Sequence, residues 1–375
     1  MKNKILMRGI AFILIIYTTL LPLSVRGYAA EEEGAEPTSP YNDTEVESTP
    51  ALADGVEVGS RFFELFFGDG KDKEESISLI PGGSVFGVRI KQKFVTVVES
   101  RGVPALKSGD IILSIDGREV RSASDVRRLV QQSGGSGLTI RALHRGDEIA
   151  VEIRPSLEDG EYKIGLSLRD GAAGLGTVTF IDPETGAFGG LGHGICDADS
   201  GEVIPMESGE VCGVILGGIH RGECGKPGEL CGVLTDRDMG DLALNCECGV
   251  FGVMTDLPAS ATPIPIGRRD SVTEGEATII STLKNGKTAE YKIEIYDIDR
   301  TSDGSKSFRI RVTDETLKAL TGGIVRGMSG SPIIQDGKLV GAVTHVLVAD
   351  PTEGYGIFIE NMLNVADSAE IGRAA

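Results

Sequence analysis

Apolar and polar residues alternate at strand-like spacing along most of the chain, and two stretches break that rhythm. In the first, an apolar run from Gly9 to Val25 follows Lys2, Lys4 and Arg8 and is closed by Arg26. A basic head before an apolar run with no polar face is the pattern of an export signal or an N-terminal membrane anchor. Gly27-Tyr28-Ala29 supplies small residues suited to cleavage, so a cleaved and a retained form both stay open. Either form puts residues beyond 30 outside the cytoplasm. Residues 31–77 read as a linker, which carries no basic residue as far as Gly55 and is rich in Glu, Thr, Ser and Pro there. Phe62, Phe63, Phe66 and Phe67 near its end read as a cap on the next domain.

The second break is Ser122–Gln132, where Val126, Leu129 and Val130 recur at helical spacing and Ser122 or Ser124 can cap the N-terminus. Around this helix lie strand patterns. Leu79–Val88 is a Gly-rich loop entering a strand, and Phe94–Glu99 is a second strand. Ile111–Val120 carries apolar alternation into the Asp116-Gly117 turn, and Thr139–Leu143 pairs with Ile149–Ile153 across Arg145-Gly146-Asp147. This order, with Leu106-Lys107-Ser108-Gly109-Asp110-Ile111 and Ile115-Asp116-Gly117, resembles a PDZ domain over residues 78–156. The resemblance implies that an extended peptide adds as a strand beside the helix. Its terminal carboxylate would be held by the loop at Gly83–Gly87, with Val85, Phe86, Gly87 and Val88 on the groove strand.

Composition narrows the rest. Glycine accounts for 52 of 375 residues, about twice the usual share, with no collagen-like period. Tight turns between short strands need that much glycine and helix bundles do not. The fold class predicted is mainly β. The net charge of −19 argues against nucleic acid as a partner, because phosphates call for basic clusters.

Chemistry concentrates in residues 157–375. Gly327-Met328-Ser329-Gly330-Ser331-Pro332 leads into an Asp336-Gly337 turn and the strand Leu339–His345. Glycines two before and one after a serine permit a sharp turn that exposes the hydroxyl, and the N–H groups of Gly327 and Ser329 can stabilise an oxyanion. This resembles the nucleophile segment of trypsin-like serine peptidases, which implies a double β-barrel following the PDZ domain. Ser331 is the competing nucleophile but is followed by Pro332. A serine needs a base. Of the four histidines, His193 lies in the Gly-rich run Gly189–Gly194, His345 is the fallback, His220 sits in a Gly/Cys-rich loop and His144 in the PDZ hairpin.

Taken together, Glu161–Leu166, Arg169–Thr177, Gly192-His193-Gly194 and Thr321–Val325 leading into the serine turn resemble the sporulation stage IV protein B (SpoIVB) serine peptidases. The resemblance implies an endopeptidase exported into the space between forespore and mother-cell membranes. There it cuts itself and a membrane-bound regulator of an intramembrane protease, activating a late sigma factor. It also implies Asp314 as the triad acid, although the short Asp314–Ser329 spacing departs from the trypsin-like pattern; Asp197 and Asp256 are alternatives. The partners implied are a protein substrate, a peptide in the PDZ groove, and the membrane through the N-terminus, with no cofactor.

All six cysteines fall after residue 195, and their spacing fixes no disulfide pairing. His220, Cys224 and Cys231 lack the paired spacing of a structural zinc site, so no metal is predicted. Two rival readings are a PDZ adaptor whose serine turn is structural, and an extracytoplasmic quality-control protease, which usually places its PDZ domain after the peptidase.

Overall fold

A computed structural model describes residues 30–32, 77–197, 201–255, 261–283 and 286–364. The apolar N-terminal run, the phenylalanine cluster, Asp256 and the linker apart from Glu31, Glu32 and Ile77 lie outside the described residues. Among the described residues no helix is long and apolar enough to cross a membrane.

One long strand, β1 (Val85–Ser100), serves two bodies. Its second half joins β2 (Ile111–Ile115), which pairs with β3 (Leu138–His144), which pairs with β4 (Asp147–Ile153). Helix α1 (Ala123–Gln132) closes this sheet, burying Val126, Leu129 and Val130 against Val95, Val97, Ile112 and Ile140. The Ser122 side chain caps it by accepting from the Asp125 N–H at 3.0 Å. The Arg145 and Gly146 turn between β3 and β4 has φ of 53° and 90°, the positive values of a tight hairpin. Asp110, nearly fully buried, explains part of the motif that carries the PDZ resemblance. Its carboxylate accepts the Lys107 N–H at 2.8 Å and lies 2.7 Å from His144 Nδ1, tying the loop to the hairpin.

The chain then returns along β1. Strand β5 (Leu166–Ile181) pairs with it from Leu166↔Ser100 to Thr177↔Val85, an antiparallel ladder interrupted by two shifts. Beyond it come β6 (Ala187–Gly190), β7 (Met206–His220), β8 (Gly228–Cys246) and β9 (Gly249–Met254). Pairing runs β5-β6-β9-β8-β7-β1 and back to β5, so the sheet closes into a barrel. Phe86, Val88, Val178, Phe188, Leu191, Val211 and Val250 fill it.

The second barrel uses β10 (Gly275–Thr282), β11 (Thr288–Tyr296), β12 (Phe308–Val312), helix α2 (Glu315–Thr321), β13 (Val325–Arg326), β14 (Pro332–Gln335), β15 (Lys338–Leu347) and β16 (Asp350–Phe358). Its ring runs β15-β14-β10-β11-β12-β16 and closes on β15. Strand β13 instead pairs parallel with β8 of the first barrel. Two closed barrels of alternating strands leave few open edges and bury an aliphatic core, as the mainly β reading expected.

The boundary between the two modules does not fall at residue 78: the PDZ body grows out of the first barrel, between the outer halves of β1 and β5. Residues assigned to it from 78 onward therefore divide. Phe86, Val88 and Ile90 belong to the barrel core, while Val95 and Val97 belong to the PDZ core.

Candidate active site

Ser329 lies in the turn between β13 and β14, on the seam of the two barrels. Gly330 has φ +92°, and a methyl group there would overlap the Thr177 carbonyl oxygen and the Leu191 amide. Only glycine lets the two segments meet. The first barrel grips the turn through two fully buried threonines on one face of β5. The Thr177 N–H donates to the Ser329 carbonyl at 2.9 Å and its hydroxyl to the Gly327 carbonyl at 2.8 Å. The Thr179 hydroxyl donates to the Gly330 carbonyl at 2.8 Å. Three carbonyls around the serine are thus fixed by one strand. Neither threonine stood out in the sequence, because nothing local to β5 signals a partner some 150 positions away.

His193 follows β6 and is 6% exposed. Its Nδ1 lies 2.9 Å from the Gly194 carbonyl, which only accepts; Nδ1 therefore carries the proton and Nε2 keeps its lone pair. That Nε2 is buried without a hydrogen-bond partner. The His345 ring lies 5.4 Å away between centroids. The Ser329 hydroxyl donates to the carbonyl of the adjoining Thr344 at 2.8 Å. Gly192, just before His193, faces the same threonine: a Cβ there would lie 2.9 Å from Thr344 Cγ2. The structure therefore brings the buried Ser329 and His193 and the half-buried His345 to one seam, with the hydroxyl held on a carbonyl and not on the base.

Burial pushes the His193 pKa below the ordinary histidine value, opposed by its bond to Gly194. Burial pushes His345 down to about 3, with the neighbouring His193 and Lys306 adding to the effect. Both rings are neutral at pH 7, the form a general base needs.

Asp314 does not join them. Its carboxylate caps α2, accepting from the Leu317 N–H at 3.0 Å and the Lys292 N–H at 3.3 Å. Partial burial raises its pKa, but these amides hold it, on balance, below the usual carboxylate value. The place of the acid at His193 Nδ1 is taken by the Gly194 carbonyl. Asp314→Ala is accordingly expected to lower stability by about 1 kcal/mol through the lost cap and to leave the acid limb of the activity profile unmoved. Denaturant titration and a pH–rate profile measure both. Asp197 pairs with Arg169. The Ser331 hydroxyl is buried without a partner, like His193 Nε2.

The predicted PDZ groove also moves. Gly87 and Val88 pair with Leu175 and Gly174 of β5 on one side, and with Cys212 and Val211 of β7 on the other. From Gly87 to Lys91 this barrel strand is paired on both sides and leaves no edge open to a peptide, and Gly83 packs against Ile280 of the second barrel. The open edge lies at Leu166–Arg169, where β5 pairs with β1 on one side only. A groove of about 680 Å³ runs there between that segment and α1, lined by Val126, Val130, Tyr162, Ile164, Leu166 and Leu168. A second open edge lies beside the serine. Beyond Ala342, β15 has parted from β14, and the backbone of Ala30–Glu32 lies parallel along His345–Leu347.

All six cysteines are free thiols, and burial pushes Cys246 and Cys248 up to about 11 and about 12. At neutral pH such thiols stay protonated and unreactive.

Two family profiles match the chain. The profile described as SpoIVB peptidase S55 matches residues 160–363, and a PDZ domain profile matches 96–142. A relative from Agrobacterium fabrum, named "Putative zinc metalloprotease", is 24% identical over 152 residues, which is 38% of this chain and 39% of that protein. The chain thus spans well under half of that relative's length. Among solved structures, the PDZ domain of an SdrC-like protein from Listeria monocytogenes is 26% identical with a TM-score of 0.20, covering 21% of this chain and 90% of that one. The HtrA-type protease AlgW with a tripeptide is 16% identical with a TM-score of 0.33, covering 53% and 57%. With its family profile spanning more than half the sequence and its histidine and serine turns meeting between two barrels, the chain belongs to the SpoIVB peptidase S55 family and carries a PDZ domain.

Proposed function

We propose that the protein is a serine endopeptidase acting through Ser329 and His193. The observation that carries this reading is the unpartnered, buried Nε2 of His193 beside the serine turn, with its tautomer set by the Gly194 carbonyl. A peptide substrate lies along the open edge of β15, where the backbone of Ala30–Glu32 already lies. Rotation about the Cα–Cβ bond frees the Ser329 hydroxyl from the Thr344 carbonyl and turns it toward His193. Oγ attacks the scissile carbonyl while Nε2 takes its proton. The oxyanion is stabilised by the N–H groups of Gly327 and Ser329. The imidazolium then protonates the leaving amine, and water, activated by the same histidine, hydrolyses the acyl-enzyme.

Family membership and the apolar N-terminal run support a finer reading. The enzyme is exported, tethered to or released from a membrane, and cuts itself and a membrane-associated regulator of an intramembrane protease in sporulation signalling. A peptide held in the PDZ groove beside α1 brings such a partner to the barrels. Labelling of the purified protein by a fluorophosphonate tests the chemistry. The wild type and Ser331→Ala are expected to label, and Ser329→Ala and His193→Ala to lose at least about 100-fold in rate. Labelling that survives Ser329→Ala but not Ser331→Ala transfers the nucleophile to Ser331; no labelling of the wild type leaves the adaptor reading.

A further inference from the structure

Strands β7 and β8 meet in a hairpin whose outer face holds a side-chain cluster with no part in the chemistry above. His220 is the register partner of Glu229, and Cys231 stands two residues beyond Glu229 on the same face of the strand. The intervening Leu230 points the other way, into the core of the second barrel. His220 Nδ1 lies 2.9 Å from Glu229 Oε1 and 3.4 Å from Cys231 Sγ, and all three ligand atoms fall within 4.8 Å of one another. Zinc bonds imidazole nitrogen at about 2.0–2.1 Å and thiolate sulfur at about 2.3 Å, so a tetrahedral site separates N and S by about 3.5 Å. The nitrogen–sulfur pair therefore already stands at the separation such a site requires. One imidazole, one thiolate and one carboxylate make a borderline-soft donor set that suits zinc and excludes magnesium and calcium, which take oxygen donors.

We propose that His220, Glu229 and Cys231 bind one divalent ion of the zinc class, with a fourth position open to water. Sequence spacing groups His220 and Cys231 with Cys224, without the paired spacing of a zinc motif; strand pairing brings Glu229 into the cluster, and Cys224 is outside it. The hairpin also reaches the catalytic seam. Glu229 is in register with Arg326 of β13, the residue before Gly327. A bound ion braces the ladder that carries the oxyanion turn.

Cobalt(II) is the probe, titrated into the reduced, metal-free full-length protein. One equivalent is expected to give the near-ultraviolet thiolate-to-cobalt charge-transfer band and tetrahedral visible bands, both displaced by zinc. Cys231→Ser should abolish the charge-transfer band, and His220→Ala and Glu229→Gln should each weaken binding at least tenfold. Cys224→Ser should leave it unchanged. Zinc should raise the melting temperature of the wild type and not that of Cys231→Ser. The residues are at the surface, so circular dichroism of each variant checks that the fold is kept. A band that survives Cys231→Ser, that depends on Cys224, or that never forms with the wild type overturns the assignment.

Discussion

Gly330→Ala is expected to abolish fluorophosphonate labelling and to cost the protein more than about 3 kcal/mol. Two costs add. The residue holds φ +92°, which burdens any side chain by about 1–2 kcal/mol. A methyl group there also runs into the Thr177 carbonyl and the Leu191 amide, both main-chain atoms that cannot swing aside. Relief requires the serine turn to retreat from β5. That breaks the hydrogen bonds from Thr177 and Thr179 and displaces Ser329 relative to His193, and displacements of about 1 Å are worth about 100-fold in rate. Gly337→Ala is the control. Gly337 has φ +72° with nothing within 4 Å of an added Cβ, so it carries the conformational cost without the collision. It should lose only about 1–2 kcal/mol and keep its labelling. Equal losses in the two variants would mean that the close contact contributes nothing.

Acid should unfold the protein through the half-buried His345 and the buried His193. The His345 pKa stands near 3 in the folded chain, against about 6.5 for an ordinary histidine. The unfolded state therefore binds the extra proton first as pH falls. Stability is fully present above about pH 6.5 and declines by about 1.4 kcal/mol per pH unit from there down to the folded value. At pH 5 the loss from His345 alone is about 2 kcal/mol, and His193, shifted in the same direction, adds to it. Urea unfolding between pH 7 and pH 5 measures this slope, and His345→Gln should reduce it by one proton's worth. An unchanged slope in that variant places the titrating group elsewhere. The same shift keeps His193 neutral at pH values where an exposed histidine is charged, so the acid limb of the labelling rate should fall below pH 6.5.

Several features were legible before any coordinates because the residues responsible stand next to one another. The helix Ala123–Gln132 follows from Val126, Leu129 and Val130 on one face and from the Ser122 cap. The turn around Ser329 follows from Gly327 and Gly330, whose backbones alone can take their conformations. The close approach at His193 follows from Gly192 against Thr344. Other features do not follow from neighbouring residues in this way. The family resemblance implies Asp314 as the triad acid, yet the same residue followed by Glu315-Thr316-Leu317 is a helix cap, and the local bond to Leu317 prevails. Val85–Ser100 contains no turn residue where one core hands over to the next, so spacing alone does not separate the PDZ strand from the barrel strand, which pairing fills on both sides from Gly87 to Lys91.

By itself, the sequence determined the β class, the PDZ module, and the histidine and serine segments, because alternation, capping and glycine turns act over a few residues. Only the tertiary structure decided that the PDZ body is inserted into the first barrel, that Thr177 and Thr179 hold the nucleophile turn, that a backbone carbonyl orients His193, and that His220, Glu229 and Cys231 converge. The physical reason is common to all four: each depends on which distant strands pair, and closing two barrels sets that pairing through hydrogen bonds and burial summed over the whole sheet.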